Sequence, residues 1–159
     1  MKTIQVKKGQ VVQRKGDVNP KVYNVSAGLL RSYSIDEKGK EHIFMFAPEG
    51  WIMADAAFDG APAELFIDAL EDSTLLVIER DTRIPNIEVK PLLKRISVLQ
   101  KRVIMLLSSS ARVRYEHFME AYPNIIQRVP QKMIATYLGI TPEALSRVRK
   151  EVAEGNKHV

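Results

Sequence analysis

Three side chains near the C-terminus have the types and spacing to read a base pair. Glu143, Ser146 and Arg147 recur at intervals of three and one, which puts them on one helical face. A carboxylate there can accept from cytosine N4, and a guanidinium can donate twice to guanine O6 and N7. Thr141, Lys132, Arg149 and Lys150 surround them and suit contacts to phosphate. Other chemistries find less support. The histidines, His42, His117 and His158, do not pair at a metal-binding spacing. With no cysteine, thiolate zinc sites, cysteine-ligated iron–sulfur clusters and cysteine nucleophiles are excluded. There is no glycine-rich phosphate loop and no nucleophile elbow. No enzyme activity, no metal and no certain cofactor are therefore expected.

The element that must hold Glu143 and Arg147 is legible in their neighbours. Counting Gln131 as the first of 20 slots, Ile134, Leu138, Ile140, Leu145 and Val148 occupy the apolar positions of a helix-turn-helix. Ala135 fills the slot where the second helix crosses closely, and Gly139 the left-handed end of the first helix. Thr141-Pro142-Glu143 reads as a cap, a first-turn proline and an acid at the positive end of the dipole. A plain helical hairpin is the competing reading.

Upstream, Leu92, Ile96, Leu99, Val103, Leu106, Ser110 and Val113 alternate spacings of four and three. That is a heptad seam, suited to a parallel contact with a second copy. No glycine or proline interrupts Leu92–Tyr122, so one helix is expected throughout. Tyr122-Pro123-Asn124 is the expected hinge, because the residue before a proline resists helix.

The front half changes period. Glycines at 9, 16, 28, 39, 50 and 60 lie 7 to 12 residues apart in turn-forming company. The apolar runs Val22–Val25, Leu29–Ile35, Ile43–Phe46, Leu65–Ile67 and Leu75–Ile78 fall between them. This spacing predicts an antiparallel β-roll of about eight short strands. Charge divides the chain too: residues 1–83 carry a net −2, residues 84–127 a net +4 and residues 128–159 a net +3. The basic half suits a polyanion. The fold class expected is α+β: a β-roll sensor over residues 1–88, a long dimerisation helix over 89–122 and a helix-turn-helix segment over 123–159.

Taken together, these residues resemble the Crp/Fnr superfamily of bacterial transcription regulators, most closely its short Bacteroidetes type. Pro142-Glu143-Ala144-Leu145-Ser146-Arg147 is similar to the recognition-helix motif Glu-x-x-Ser-Arg. Gly28-Leu29-Leu30-Arg31, Gly39-Lys40-Glu41-His42 and Ala69-Leu70-Glu71-Asp72-Ser73 look like phrases of cyclic-nucleotide-binding-type jelly rolls. The resemblance implies double-stranded DNA and a second copy of the chain as partners, with RNA polymerase and a small-molecule effector as further candidates.

It also implies a ligand pocket lined by Gly50, Trp51, Ala54, Asp55, Ala63 and Glu64, with Ser108, Ser109 and Ser110. Cyclic nucleotide binders carry a phosphate-pairing arginine in this region, and it has no counterpart here. Cyclic AMP and cyclic GMP are therefore not expected ligands. A helix preceding the first strand and a full β-wing after the helix-turn-helix are not expected. With no apolar signal core and no membrane-length apolar run, the location expected is cytoplasmic. The alternative is a small-molecule-binding β-roll whose helical tail serves dimerisation or a protein partner.

Overall fold

A computed structural model describes residues 1–18, 20–55, 61–78 and 89–155, with the side chains of 89–95 and 155 set aside. Its internal contacts divide the chain into two units, Met1–Ile84 and Pro85–Val159.

The first unit is built of eight short strands. They are β1 (Lys2–Val6), β2 (Val11–Gln13), β3 (Val22–Ala27), β4 (Leu30–Ile35), β5 (Glu41–Ala47), β6 (Ile52–Ala54), β7 (Phe66–Ala69) and β8 (Ser73–Ile78). They form two four-stranded antiparallel sheets, ordered β1-β8-β3-β6 and β2-β7-β4-β5. β8 shows why the sheets close on each other: Ser73, Leu75 and Val77 are buried while Thr74, Leu76 and Ile78 are half-buried. Val6, Tyr23, Val25, Leu30, Met53, Ile67 and Leu75 meet in the core. This is the expected β-roll.

The β4–β5 hairpin turns through Asp36-Glu37-Lys38-Gly39-Lys40. The Asp36 carboxylate accepts from the N–H groups of Lys38 and Lys40, and Gly39 supplies a φ of +75°. Gly28 has a different task. Its φ is +93°, and a Cβ there would stand 2.2 Å from Ser73 Oγ and 2.7 Å from Asp72 O. Backbone from β8 passes too close for any side chain.

The second unit is helical: α1 (Val89–Ser108), α2 (Ala111–Ala121), α3 (Gln131–Leu138) and α4 (Pro142–Gly155). A long helix is present as α1, of 20 residues. The expected continuation to Tyr122 is not: the helix breaks at Ser109–Ser110. Ser110 adopts an extended conformation (φ −66°, ψ 162°) and its hydroxyl accepts from the N–H of Val113. A residue read as a polar seam position is therefore an N-cap, which starts a new helix in place of prolonging the old one. Phe118, Tyr122 and Tyr137 pack with ring centroids 5.2 to 5.6 Å apart. Tyr122, at the expected hinge, is buried in this cluster.

Candidate nucleic-acid interface

The turn between α3 and α4 is set by two local devices. Gly139 takes the left-handed conformation (φ 64°, ψ 34°), and its N–H returns to the carbonyls of Ala135 and Thr136. Thr141 then caps α4: its hydroxyl accepts from the N–H of Ala144 and its carbonyl from that of Leu145. Ile134, Ala135, Leu138, Leu145 and Val148 are buried between the helices, and Ile140 is half-buried. Burying Leu145 and Val148 turns the opposite side of α4 outward.

Glu143, Ser146, Arg147 and Lys150 stand on that outward side, all exposed. At 100° per residue they span an arc of about 100°. Thr141 and Lys132 are exposed as well, while Arg149 lies half-buried on the flank of α4. Glu143 is held as an anion. Its carboxylate is kept below the ordinary range by its own backbone N–H, then by the Thr141 hydroxyl and the Arg147 charge. Lys150 reaches Glu154 at 3.9 Å, a contact between exposed chains that leaves its charge accessible to a phosphate. The result is one acceptor and several donors on a single helix face, the pattern that base edges and phosphates require.

The residues expected to line a ligand pocket are placed as follows. In the β-roll unit, Gly50 N–H donates to Val25 O, and Trp51 O accepts from Val25 N–H. Ala54 ends β6 and pairs with Val22. Ala63 is buried and its N–H donates to Asp17 O, whereas Glu64 is exposed. Asp55 is buried, and its Oδ2 accepts from the N–H groups of Glu64 and Leu65 and from Gln13 Nε2, at 2.8 to 3.2 Å. An open cavity of about 510 Å³ lies elsewhere, against Ile4, Val11, Gln13, Lys21, Tyr23 and Val77, and none of these six expected residues lines it. In the helical unit, the Ser108 hydroxyl donates to Ile104 O, Ser109 is half-buried and Ser110 is the cap already described.

Of the expected seam, Ile96 and Val103 are exposed and Leu99 and Leu106 half-buried along α1, and Val113 lies exposed on α2. The side chain of Leu92 lies outside the described residues. Leu107 and Ile104, beside the seam, are also exposed.

Two arrangements escaped sequence reasoning. Arg31 is buried between Asp68 and Glu41, its guanidinium stacked 4.2 Å from the Tyr33 ring centroid. A charged residue inside an apolar run was the available signal. Arg114 donates to three backbone carbonyls, and nothing in its sequence setting announces that. Among the described residues, no group of acids and histidines could hold a metal ion, and no helix is long and apolar enough to cross a membrane.

A β-roll of two four-stranded sheets with a helix-turn-helix unit defines the class, and comparison with known proteins gives the family. The family model of the cyclic nucleotide-binding domain matches residues 3–83. The chain is 26% identical to the fumarate and nitrate reduction regulatory protein of Yersinia pestis over 174 residues, covering 95% of this chain and 68% of that protein. It is 26% identical to the regulatory protein HlyX of Actinobacillus pleuropneumoniae over 163 residues, covering 90% and 68%. The chain thus spans about two thirds of the length of these curated relatives.

Among solved structures, FixK2 from Bradyrhizobium japonicum superposes with a TM-score of 0.79 at 19% identity, covering 98% of this chain and 85% of that one. A CRP/FNR-family transcriptional regulator from Thermus thermophilus gives 0.72 at 20% identity, covering 97% and 87%. The chain belongs to the cyclic nucleotide-binding domain family. The relatives are named as regulators, not as enzymes.

Proposed function

We propose that the chain is a DNA-binding transcription regulator that acts as a homodimer. The observation that carries this reading is the outward face of α4, where Glu143, Ser146, Arg147 and Lys150 are exposed together above a buried three-helix core. In this reading Glu143, Ser146 and Arg147 read base edges in the major groove. Thr141, Lys132, Arg149 and Lys150 hold phosphates.

Two copies meet along α1, where Ile96, Leu99, Val103 and Leu106 form an apolar stripe. Their recognition helices enter successive major grooves about 34 Å apart, on a near-palindromic site. Residues 1–88 serve as sensor, 89–122 as dimer contact and 123–159 as reader. A signal at the β-roll shifts the orientation of the paired readers. RNA polymerase and a small effector complete the partners of this reading. Cyclic AMP and cyclic GMP fit it poorly. In place of a phosphate-pairing arginine, the loop after β6 presents Asp55, whose carboxylate already takes the N–H groups of Glu64 and Leu65.

Selection from a random duplex pool at a stated salt near 0.1 M tests the proposal. A two-fold symmetric motif with half-sites one turn apart is expected. Arg147→Ala should then lose preference at one base pair of each half-site, at a cost of about 1–3 kcal/mol. Recovery of no motif by a folded dimer, with and without cell extract, would overturn the reading.

A further inference from the structure

The break between α1 and α2 is an exchange of hydrogen bonds. In a continuous helix the carbonyl of Leu106 would accept from the N–H of Ser110, and that of Ser109 from the N–H of Val113. Here Val113 N–H donates instead to Ser110 Oγ, at 3.3 Å. The Arg114 guanidinium fills both vacated carbonyls, Nη2 to Leu106 O at 2.8 Å and Nε to Ser109 O at 3.0 Å.

Its remaining nitrogen, Nη1, donates to Leu138 O at 3.0 Å. Leu138 ends α3, immediately before the turn. The same Nη1 stands 3.5 Å, and Leu106 Cδ2 3.7 Å, from the place a Cβ on Gly139 would occupy. One side chain therefore joins the last turn of α1, the break and the turn of the helix-turn-helix. Arg102 grips the same end of α3. It lies 4.0 Å from the Tyr137 ring centroid, and its Nη2 donates to Tyr137 O at 3.4 Å. A guanidinium suits this work because it is a rigid fork of five donors, and cations are favoured where helices end in unpaired carbonyls. A lysine offers one point charge and cannot span three carbonyls.

We propose that Arg114 is the positioning residue that couples the α1 seam to the helix-turn-helix, holding the α1–α2 break and fixing α3, and with it α4, against α1. The proposal rests on the reading of α4 as the DNA-contacting helix. Leu106 belongs to the proposed seam, and its Cδ2 stands 3.7 Å from where a Cβ on Gly139 would lie, so seam packing and the turn share one side chain. The sequence permits a second state. Heptad spacing runs through Ser110 and Val113, and no glycine or proline bars a straight helix. In that state the backbone N–H groups reclaim Leu106 O and Ser109 O, and Arg114 must release Leu138.

The test uses the full chain. Its lack of cysteine lets one spin label be placed on α1 by Ser97→Cys and one on α3 by Gln131→Cys, both exposed positions. Labelled chain is diluted into excess unlabelled chain, so that only the distance within one chain is read. Arg114→Met is expected to broaden or shift that distance, with Arg114→Lys giving little rescue. Affinity for the selected operator should fall about tenfold or more, while the dimer and the β-roll melting transition remain. An unchanged distance in Arg114→Met overturns the proposal, whatever the DNA result. A shifted distance with no operator bound by any form upholds the coupling and overturns the DNA reading. Should Arg114→Met fail to fold, Ser110→Ala removes the cap and is expected to shift the same distance; no shift there overturns the proposal.

Discussion

Arg31 and Asp68 are joined at two points, Nε to Oδ1 at 2.9 Å and Nη2 to Oδ2 at 3.0 Å, across neighbouring strands β4 and β7. Both side chains are about nine-tenths buried, and Glu41 bonds the guanidinium's far side. Burial pulls the Arg31 pKa down, but the bonds to Asp68 and Glu41 outweigh it and raise the pKa above the ordinary range. The charge therefore persists, and removing Arg31 leaves an uncompensated buried carboxylate. Arg31→Met is expected to cost the β-roll about 3–5 kcal/mol in urea unfolding. Asp68→Asn should cost less, because Glu41 still balances the guanidinium. A double-mutant cycle of Arg31 and Asp68 should be clearly non-additive. Additive costs would mean that the two-point pair contributes nothing of its own.

Two glycines with positive φ separate backbone strain from steric exclusion. At Gly39 nothing lies within 4 Å of an added Cβ, so Gly39→Ala meets only the left-handed penalty of about 1 kcal/mol. At Gly28 the new methyl also collides with Ser73 Oγ and the carbonyl of Asp72. Ser73 cannot easily yield, since its hydroxyl accepts from Leu29 N–H and donates to Glu71 O. Gly28→Ala is expected to cost about 2–4 kcal/mol, the strain plus overpacking. Thermal melts of the two variants check the difference. Equal losses would mean that the β8 backbone relaxes away from position 28.

Those two positions also show what the sequence could and could not reveal. Glycines at 9, 16, 28, 39 and 50 marked the loops, Gly60 lying outside the described residues, and β3, β4, β5, β7 and β8 rose from the apolar runs. β1, β2 and β6 did not. Two of them have only three residues, and β1 interleaves Ile4 and Val6 with lysine, threonine and glutamine, too weak a pattern to stand out. The helix-turn-helix was legible because each slot is a local demand on size or conformation. The break at Ser109–Ser110 was not, because seam spacing and composition both allow a helix there. It depends on a serine hydroxyl and on Arg114 reaching Leu138, 24 residues away. Asp55 was expected only as a pocket-lining residue. Its turn inward to two backbone N–H groups exists only in the folded loop.

Glu143 offers a pH signature of the cap. Its pKa is depressed by its own N–H first and by the Thr141 hydroxyl second. A depressed carboxylate contributes stability above its unfolded-state pKa, and that contribution is lost as pH falls through the folded value. Glu143 should therefore remain an anion throughout the neutral range, available to accept from a base. Thr141→Val is expected to raise the Glu143 pKa toward the ordinary range and to cost about 1 kcal/mol through the lost cap. Carboxylate carbon shifts followed through an acid titration read the pKa directly. An unmoved Glu143 in that variant would remove the hydroxyl from the account.

The proposed dimer contact makes the sharpest demand on single residues. Ile96 and Val103 are 58% and 54% exposed, and Leu99 and Leu106 continue the stripe half-buried. In a parallel contact each Val103 faces its own symmetry copy, so Val103→Glu places two carboxylates opposite each other in an apolar seam. Sedimentation velocity should show monomer at concentrations where the parent chain is a dimer, with the β-roll melting transition unchanged. Ser110 should respond in the opposite sense to a seam residue. If it were a seam position, Ser110→Leu would tighten the dimer by filling the stripe. As the cap of α2, its loss leaves the N–H of Val113 without its acceptor, so the variant should lose about 1 kcal/mol of stability and gain no dimer affinity. A dimer that survives Val103→Glu would place the contact off this stripe. A dimer tightened by Ser110→Leu would mean that the two helices join into one when the copies meet.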